Sequence, residues 1–303
     1  MSCQRAPALS FTVLAAVALA ALTPAPARAC AVCGAGDPTL TVAGTERPFD
    51  GRFRVSGLVR LGSVRSGAPG VDEASIAERR LDLGLAYAPI RTLFLSLALP
   101  ALQRDALFQR GERRSYLSLG DIELRAKYFA WQDRRGLFFH QFAVLGGVKL
   151  PTSPLQRGPD GAALPDNLQP GMGAVTPLAG AAYAMTRGPY SLFASAAIYL
   201  PFAVREGPHG GDSLRSSFAA QLQPMRVFAA RLGVDTRLDT SADRDGKPDP
   251  DTGGFIGYLK PELVLSPVTD LVFQVSATFP VIQALHGNHH EGSILALGVS
   301  YDL

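Results

Sequence analysis

The chain has 303 residues, a formal net charge of +3, and 47% hydrophobic but only 18% charged residues. So small a net charge, with no cluster of Lys and Arg on one predicted face, excludes nucleic-acid binding. Beyond the first 29 residues no stretch approaches the roughly 18–20 unbroken apolar residues of a membrane helix. The apolar residues are instead spread through alternating segments, as in lipid-facing β-strands.

The N-terminus has the features of a secretory leader. Arg5 precedes an apolar stretch at 8–22, and Ala27-Arg28-Ala29 forms an A-x-A cleavage site. We predict a signal peptide at 1–29, a short periplasmic or plug-like segment at 30–50 and one domain at 51–303. An uncleaved anchor and a lipoprotein acylated at Cys30 are the alternatives. The short apolar stretch argues against the first, and Arg28 beside the cysteine argues against the second.

Apolar and polar residues alternate in about twelve segments of the remaining chain, which is the period of a β-strand with one apolar face. The segments are 52–61, 80–87, 93–99, 121–128, 137–150, 174–186, 190–202, 214–223, 228–237, 255–265, 271–279 and 292–303. A short loop helix is one interpretation of residues 74–80. Elsewhere helical periodicity is absent.

The connections between these segments alternate in length. Short links are expected at 89–91, 132–136, 187–189, 223–225 and 266–269, and long ones at 62–77, 101–115, 151–172, 203–213, 240–252 and 284–291. Outer-membrane barrels show this asymmetry, with short periplasmic turns and longer extracellular loops. An even number of strands also leaves both chain ends in the periplasm.

The last segment, 292–303, has Leu295, Leu297 and Val299 on one face. Soluble proteins seldom leave such an apolar edge strand exposed, and in lipid a β-sheet must close on itself. A soluble β-sandwich would also alternate, but it would not require long strands, alternating loop lengths and a closing strand together. We therefore predict an all-β fold, a transmembrane antiparallel up-and-down β-barrel of about 12 strands, in the cell outer membrane.

Two motifs resemble a known family. Leu119-Gly-Asp-Ile-Glu-Leu-Arg-Ala-Lys-Tyr128 and Gly147-Val-Lys-Leu-Pro-Thr-Ser153 are similar to consecutive strands of the outer-membrane transporter barrels associated with the MetA pathway of phenol degradation. Ser153 stands where that family usually has Gly, and a long Gly/Pro-rich loop follows. The resemblance implies uptake of small, often aromatic molecules.

Charged residues of the predicted strands should point into the barrel, because a charge facing lipid costs about 2–4 kcal/mol near the bilayer midplane. The predicted lumen-lining residues are Arg52, Arg54, Arg60, Arg80, Asp82, Asp121, Glu123, Arg125, Lys127, Arg231, Asp235, Arg237, Lys260 and Glu262. They could select solutes, or they could pair with one another and fill the interior. Their mixed signs favour pairing.

Cys30 and Cys33 form a C-x-x-C pair at the predicted mature N-terminus. A local disulfide is the expected state in an oxidising periplasm, with metal binding or partner docking as alternatives. The residue directly after Cys33 is Gly34 and not the histidine of a C-x-x-C-H motif, so covalent haem attachment is excluded. This Cys/Gly-rich start resembles those of barrels that work beside multihaem cytochromes.

A second candidate metal site lies near the C-terminus. His286, His289, His290 and Glu291 fall within six residues, and His209, in another predicted extracellular loop, could be a fourth partner. Imidazole and carboxylate groups bind zinc or copper, but a polar loop tip is ordinarily just solvated.

The sequence thus predicts a passive channel or transporter for small, hydrophobic or aromatic solutes, not an enzyme, and no cofactor. No phosphate loop, dinucleotide fingerprint or zincin motif is present. The expected partners are outer-membrane lipid, the barrel-assembly machinery acting on the C-terminal strand, and the solute. The alternative function is a structural barrel that sheathes or docks a periplasmic redox partner of the multihaem cytochrome type.

Overall fold

A computed structural model describes residues 51–67, 73–108, 111–158, 161, 163–164, 168–171, 173–203, 210–244, 247–248 and 252–303. The strands are β1 (Phe53–Ser66), β2 (Ala74–Ile90), β3 (Leu93–Phe108), β4 (Arg113–Leu119), β5 (Ile122–Asp133), β6 (Phe139–Leu150), β7 (Ala174–Arg187), β8 (Tyr190–Tyr199), β9 (Phe202–Ala203), β10 (Ser213–Met225), β11 (Phe228–Asp239), β12 (Asp243–Arg244), β13 (Lys247–Pro248), β14 (Gly254–Val268), β15 (Leu271–Leu285), β16 (His290–Glu291) and β17 (Ile294–Asp302). Among these residues no helix is long and apolar enough to span a membrane.

The long strands form a closed antiparallel barrel of twelve strands, in which β4 and β5 are the two halves of the fourth. Each barrel strand pairs with its neighbours in sequence, and β17 pairs with β1, for example Val55 with Tyr301. The short strands β9, β12, β13 and β16 lie in the connections. Closure leaves no barrel edge unpaired along this seam, as β-structure in lipid requires. The predicted fold class is confirmed.

Each barrel strand has an apolar outer face and a more polar inner face. In β10, Leu214, Phe218 and Leu222 are exposed, whereas Ser217 and Gln221 between them are buried. Exposed Leu, Val and Phe side chains recur at alternate positions around the barrel. In water this surface would be an aggregation hazard, but facing acyl chains it is the lower-energy arrangement.

The two ends of the barrel differ. Two-residue links join β7 to β8 and β10 to β11, and Gly188 adopts φ +55° in the first of them, a conformation that favours glycine. Exposed Trp131 and Tyr190 flank the same end, as in the interfacial aromatic girdles of membrane barrels. By the general rule, this short-turn end faces the periplasm.

At the opposite, extracellular end the strands are longer than the sequence pattern indicates. The loop helix considered for 74–80 is wrong, since these residues begin β2. The predicted long loops 62–77 and 101–115 shrink to 67–73 and 109–112 between strand ends. β2 has 17 residues, while about 9–11 suffice to cross the bilayer. The remainder stands in water, where the outer face needs no apolar residues, so the alternation fades although the strand continues.

The fourth barrel strand is interrupted at Gly120 and Asp121. Gly120 donates its N–H to the carbonyl of Pro100 at 2.8 Å, and beyond this point β4 pairs with β3 alone among the described residues. β6 also ends at this level, at Leu150. The chain after β6 therefore leaves the wall here, next to the charged residues of the interior.

Candidate functional site

The candidate site is the interior of the barrel. Arg125 on β5 reaches the hydroxyl of Tyr199 on β8 at 3.4 Å, although β6 and β7 lie between these strands in the wall. Such a contact runs through the interior, so the face that carries Arg125 points inward. The same inner-face alternation places Arg54, Arg60, Arg80, Asp82, Glu123, Arg125, Lys127, Arg231, Asp235, Arg237, Lys260 and Glu262 on it. Arg52 lies at the periplasmic rim, and Asp121 lies in the strand break.

A deeply buried set of charges lies in the periplasmic half. Arg231 donates from Nη1 to Glu262 Oε1 at 2.8 Å and from Nη2 to Gln221 Oε1 at 2.8 Å. Gln274 donates to the other oxygen of Glu262 at 3.1 Å, and Lys260 Nζ lies 3.7 Å from it. The Arg231 and Glu262 side chains are 3% and 1% exposed. This network is built to hold the wall, because its hydrogen-bonding groups are directed at one another.

Two other predicted residues of the inner face also have partners within the wall. Lys127 is buried, with Nζ 5.1 Å from the centre of the Phe129 ring. Asp235 accepts a 2.6 Å hydrogen bond from Ser217 on the adjacent strand. Both side chains therefore have structural partners.

A second ion-pair set joins the first and last strands. Arg54 donates from Nη2 to Asp302 Oδ2 at 2.6 Å, and both side chains are buried. Arg52, more exposed, pairs with Asp270 at 2.9 Å and donates to the carbonyls of Asp302 and Leu303. Arg52 and Arg54 thus fasten β1 to the C-terminal strand at the periplasmic rim.

A wetter belt of charges crosses the middle of the barrel. Asp82 accepts hydrogen bonds from both Arg60 and Arg80, which lie directly opposite each other on β1 and β2. Their side chains are 38% and 31% exposed. On β5, Arg125 pairs with Glu123 at 2.5 Å.

Lys149 and Arg215 complete this belt. Lys149 Nζ lies 3.9 Å from Asp121 Oδ2 and lies within electrostatic range of Arg80, Glu123 and Arg215. Arg215 on β10 stacks on the Tyr199 ring with its guanidinium carbon 4.5 Å from the ring centre. We define the central belt as Arg60, Arg80, Arg125, Lys149 and Arg215 with Asp82, Asp121 and Glu123.

The two family-like motifs meet at the strand break. Asp121 Oδ1 accepts from both the N–H of Ser153, at 3.1 Å, and its hydroxyl, at 2.7 Å. Thr152 Oγ1 accepts from the N–H of Ile122 and donates to the carbonyl of Gly120. A Cβ at Gly171 would overlap Ser153 Oγ and Asp121 Oδ1. Asp121 therefore anchors the start of the β6–β7 connection, and Gly171 near its end packs closely against Asp121 and Ser153.

The anchored connection folds against the inner wall. Leu164 and Leu168 are buried against Ile76 and Ala106, inner-face residues of β2 and β3. Arg104 donates to the carbonyl of Gln169 at 2.6 Å, and the Tyr116 hydroxyl donates to that of Leu168. Near the extracellular mouth an apolar patch thus lies on the inner surface, beside charged residues such as Arg104. We call Ile76, Ala106, Leu164 and Leu168 the mouth cluster.

Glu291 on β16 holds the β15–β17 connection at the same end. Arg237 and the Tyr258 hydroxyl both donate to its carboxylate, and His289 Nε2 lies 3.7 Å from Oε1. Burial alone would raise the pKa of Glu291, but His289 and the positive Arg237 outweigh it and lower that pKa to about 2. Glu291 is a structural tie for this loop.

The predicted histidine ligands do not form a set around Glu291. His286 Nδ1 lies 3.3 Å from the carbonyl of Thr252 instead, and within the described ranges no group of three or more His, Cys, Asp or Glu side chains is arranged to hold a metal. The geometry of His286, His289, His290 and Glu291 gives the metal hypothesis no support. His209, Cys30, Cys33, the leader and the 30–50 segment lie outside the described residues.

Several interior residues were missed by the sequence pattern. Glu78 and Arg104 pair at 2.7 Å, but Glu78 fell in the loop helix considered for 74–80 and Arg104 in the predicted loop 101–115. Lys149 and Arg215 lie inside predicted strands, at inner-face positions beside outward Val148 and Leu214. Strict application of the alternation would have identified Lys149 and Arg215. Glu78 and Arg104 could be identified only if the strands were known to continue beyond the bilayer.

Comparison with known proteins identifies the fold. No family model and no curated protein matches the sequence. The COG4313 outer membrane channel from Pseudomonas putida F1 matches with a TM-score of 0.67 at 12% identity, over 87% of this chain and 100% of that one. At this identity the similarity shows the fold alone.

Two further matches are weaker. The transport unit of the autotransporter AIDA-I from Escherichia coli has a TM-score of 0.48 at 11% identity, over 87% and 93% of the two chains. The P. putida toluene transporter TodX has a TM-score of 0.40 at 10% identity, over 84% and 90%. Neither carries an argument. The closed barrel and its apolar outer face place the chain in the outer membrane.

Proposed function

We propose that this barrel is a passive outer-membrane channel for small hydrophobic or aromatic solutes. The carrying observation is the mouth cluster, where apolar side chains of the anchored β6–β7 connection pack on inner-face positions of the wall. Val64 and Phe108 pack against this cluster and are only partly buried, so they leave an apolar surface. A hydrophobic solute that leaves water for such a surface gains roughly 25 cal/mol per Å² buried. Transport of this kind needs no covalent chemistry.

The similarity to the Pseudomonas putida channel supports the proposal, because it shows that this barrel architecture serves as a channel elsewhere. The family-like motifs support it as well, since Asp121 and Ser153 from the two motifs bond to each other. From the resemblance to the phenol-degradation family we take only the solute class, aromatic molecules, and not a role in that pathway. We expect β17 to be the strand that the barrel-assembly machinery recognises.

The competing proposal is a sheath around a redox partner. Its sequence support, Cys30 and Cys33, lies outside the described residues. Among the described ones, Arg231 and Glu262 are buried and bonded to their neighbours, so a partner threaded through the periplasmic half would have to displace them. This packing favours the channel.

The test is single-channel conductance of the mature chain in a planar bilayer, together with uptake of phenol and of sucrose into liposomes that contain it. The channel predicts stable conductance steps and faster uptake of phenol than protein-free liposomes show. A barrel that shifts on heating in gel electrophoresis, and is therefore folded, yet conducts nothing and passes neither solute would overturn the proposal. Co-purification with a haem protein would then support the sheath.

A further inference from the structure

The central belt carries more cations than carboxylates. Its five cations, Arg60, Arg80, Arg125, Lys149 and Arg215, come from five strands, and its three carboxylates are each already bonded. Asp82 is shared by two arginines, and Ser153 donates to Asp121 from both its N–H and its hydroxyl. The belt therefore retains positive charge that its own carboxylates do not neutralise.

The strand register places cations of the belt directly opposite other cations, which lowers the stability of the barrel. Arg60 lies directly opposite Arg80, and Arg215 lies directly opposite Arg237. Like charges opposite each other on paired strands are destabilising. Arg237 has Asp239 and Glu291 as partners, but Arg215 has no carboxylate within ion-pair distance among the described residues and rests on Tyr199.

Lys149, on β6, also adds positive charge that no carboxylate fully neutralises. Among the described residues its nearest carboxylate oxygen is Oδ2 of Asp121, 3.9 Å away, and Ser153 donates to the other oxygen of that carboxylate. Arg80 and Arg215 both lie within electrostatic range of it. Cations from β2, β6 and β10 thus face a common space, and a ring of this kind attracts anions into a pore.

We propose that the central belt makes the channel anion-selective and binds small carboxylates in transit, with aromatic carboxylates as the preferred class. The inference rests on the proposed channel and narrows its solutes. The ring of such a molecule suits the partly buried Val64 and Phe108 beside the mouth cluster, and its carboxylate suits Lys149 and Arg215. The Arg guanidinium offers a paired, planar donor geometry that matches a carboxylate.

The experiment measures reversal potential across a KCl gradient in a planar bilayer, then uptake of benzoate and of its neutral isostere benzamide into liposomes. The variants are Lys149→Gln with Arg215→Gln, and the charge-conserving Lys149→Arg with Arg215→Lys. Arg135→Gln, in the exposed β5–β6 turn, is the matched control. Heat-shifted mobility on gels verifies that each variant folds.

We expect chloride to permeate several times faster than potassium, and benzoate uptake to exceed benzamide uptake. The double Gln variant should lower both ratios by at least about threefold, the scale of removing two charges from a partly hydrated site. The charge-conserving variant and Arg135→Gln should keep them.

Each other outcome separates the two proposals. Absence of conductance and uptake overturns the channel itself. A conducting barrel that prefers potassium, or anion preference unchanged by the double Gln variant, overturns the belt and leaves the channel standing. If the double Gln variant does not fold, the test rests on the unaltered chain and the charge-conserving variant. Cation selectivity in either of them refutes the inference.

Discussion

The periplasmic half of the interior and the central belt use charge differently. In the periplasmic half, Arg231 and Glu262 are buried and hydrogen-bonded to each other and to Gln221 and Gln274. In the central belt, Arg60 and Arg80 are about ten times more exposed and share one carboxylate. Charged residues of both signs on one inner face can therefore stabilise the barrel wall at one level and contact solutes at another. Burial of each group, rather than its presence in the sequence, separates the two uses.

The largest expected effect comes from breaking the buried network. Glu262→Leu should destabilise the barrel by about 3–5 kcal/mol, since it leaves Arg231 as an uncompensated buried charge. Denaturant unfolding in detergent micelles or bilayers measures the loss. Replacing both residues, Arg231→Met with Glu262→Leu, should recover most of it. If the single variant were as stable as the parent, the network would not be a structural one.

Undocking the inner connection should come next. Gly171→Ala places a methyl group against Ser153 and Asp121, and overpacking of this kind costs typically 1–3 kcal/mol. We expect faster proteolysis within 151–172 and altered conductance. Gly146→Ala is the control, because its added Cβ meets no heavy atom within 4 Å. Equal proteolysis of the two variants would contradict the anchor.

In the central belt the stability effect should be smaller and the transport effect larger. Asp82→Asn removes the carboxylate shared by Arg60 and Arg80, whose side chains are 38% and 31% exposed, so water screens part of the repulsion that remains between them. We expect a smaller loss of stability than for Glu262→Leu, and a higher chloride-to-potassium permeability ratio in reversal-potential measurements. A falling ratio would mean that Asp82 does not offset the belt's positive charge.

The smallest expected effect is a pH dependence confined to one loop. The folded pKa of Glu291 is lowered to about 2, below an ordinary glutamate value of about 4.3. Its stabilisation is therefore complete above the ordinary value and is lost as pH falls through the folded one. Hydrogen exchange should show 286–293 opening between about pH 4 and 2, while β10 stays protected. Glu291→Gln should open the loop at neutral pH and remove this pH dependence.

The sequence predicted the barrel well because lipid imposes a strict rule on one face of every strand, as in Leu214, Phe218 and Leu222. It failed where that rule ends: residues 74–80 and 101–108 are strands standing beyond the bilayer. The inner-face charges were predicted by exclusion from lipid. Their grouping was not, because Arg125 and Tyr199, or Arg104 and Gln169, meet only through the closed interior.

The chain separations of two side-chain contacts imply an order of assembly. Asp121 and Ser153 are 32 residues apart and belong to one hairpin, whereas Arg54 and Asp302 are 248 residues apart. Because closing a longer loop costs more chain entropy and slows folding, the hairpin anchor should form early and the seam last. In a variant with Arg54→Cys and Asp302→Cys, the two introduced thiols should then cross-link late in refolding. Protection of 151–172 from protease should come earlier.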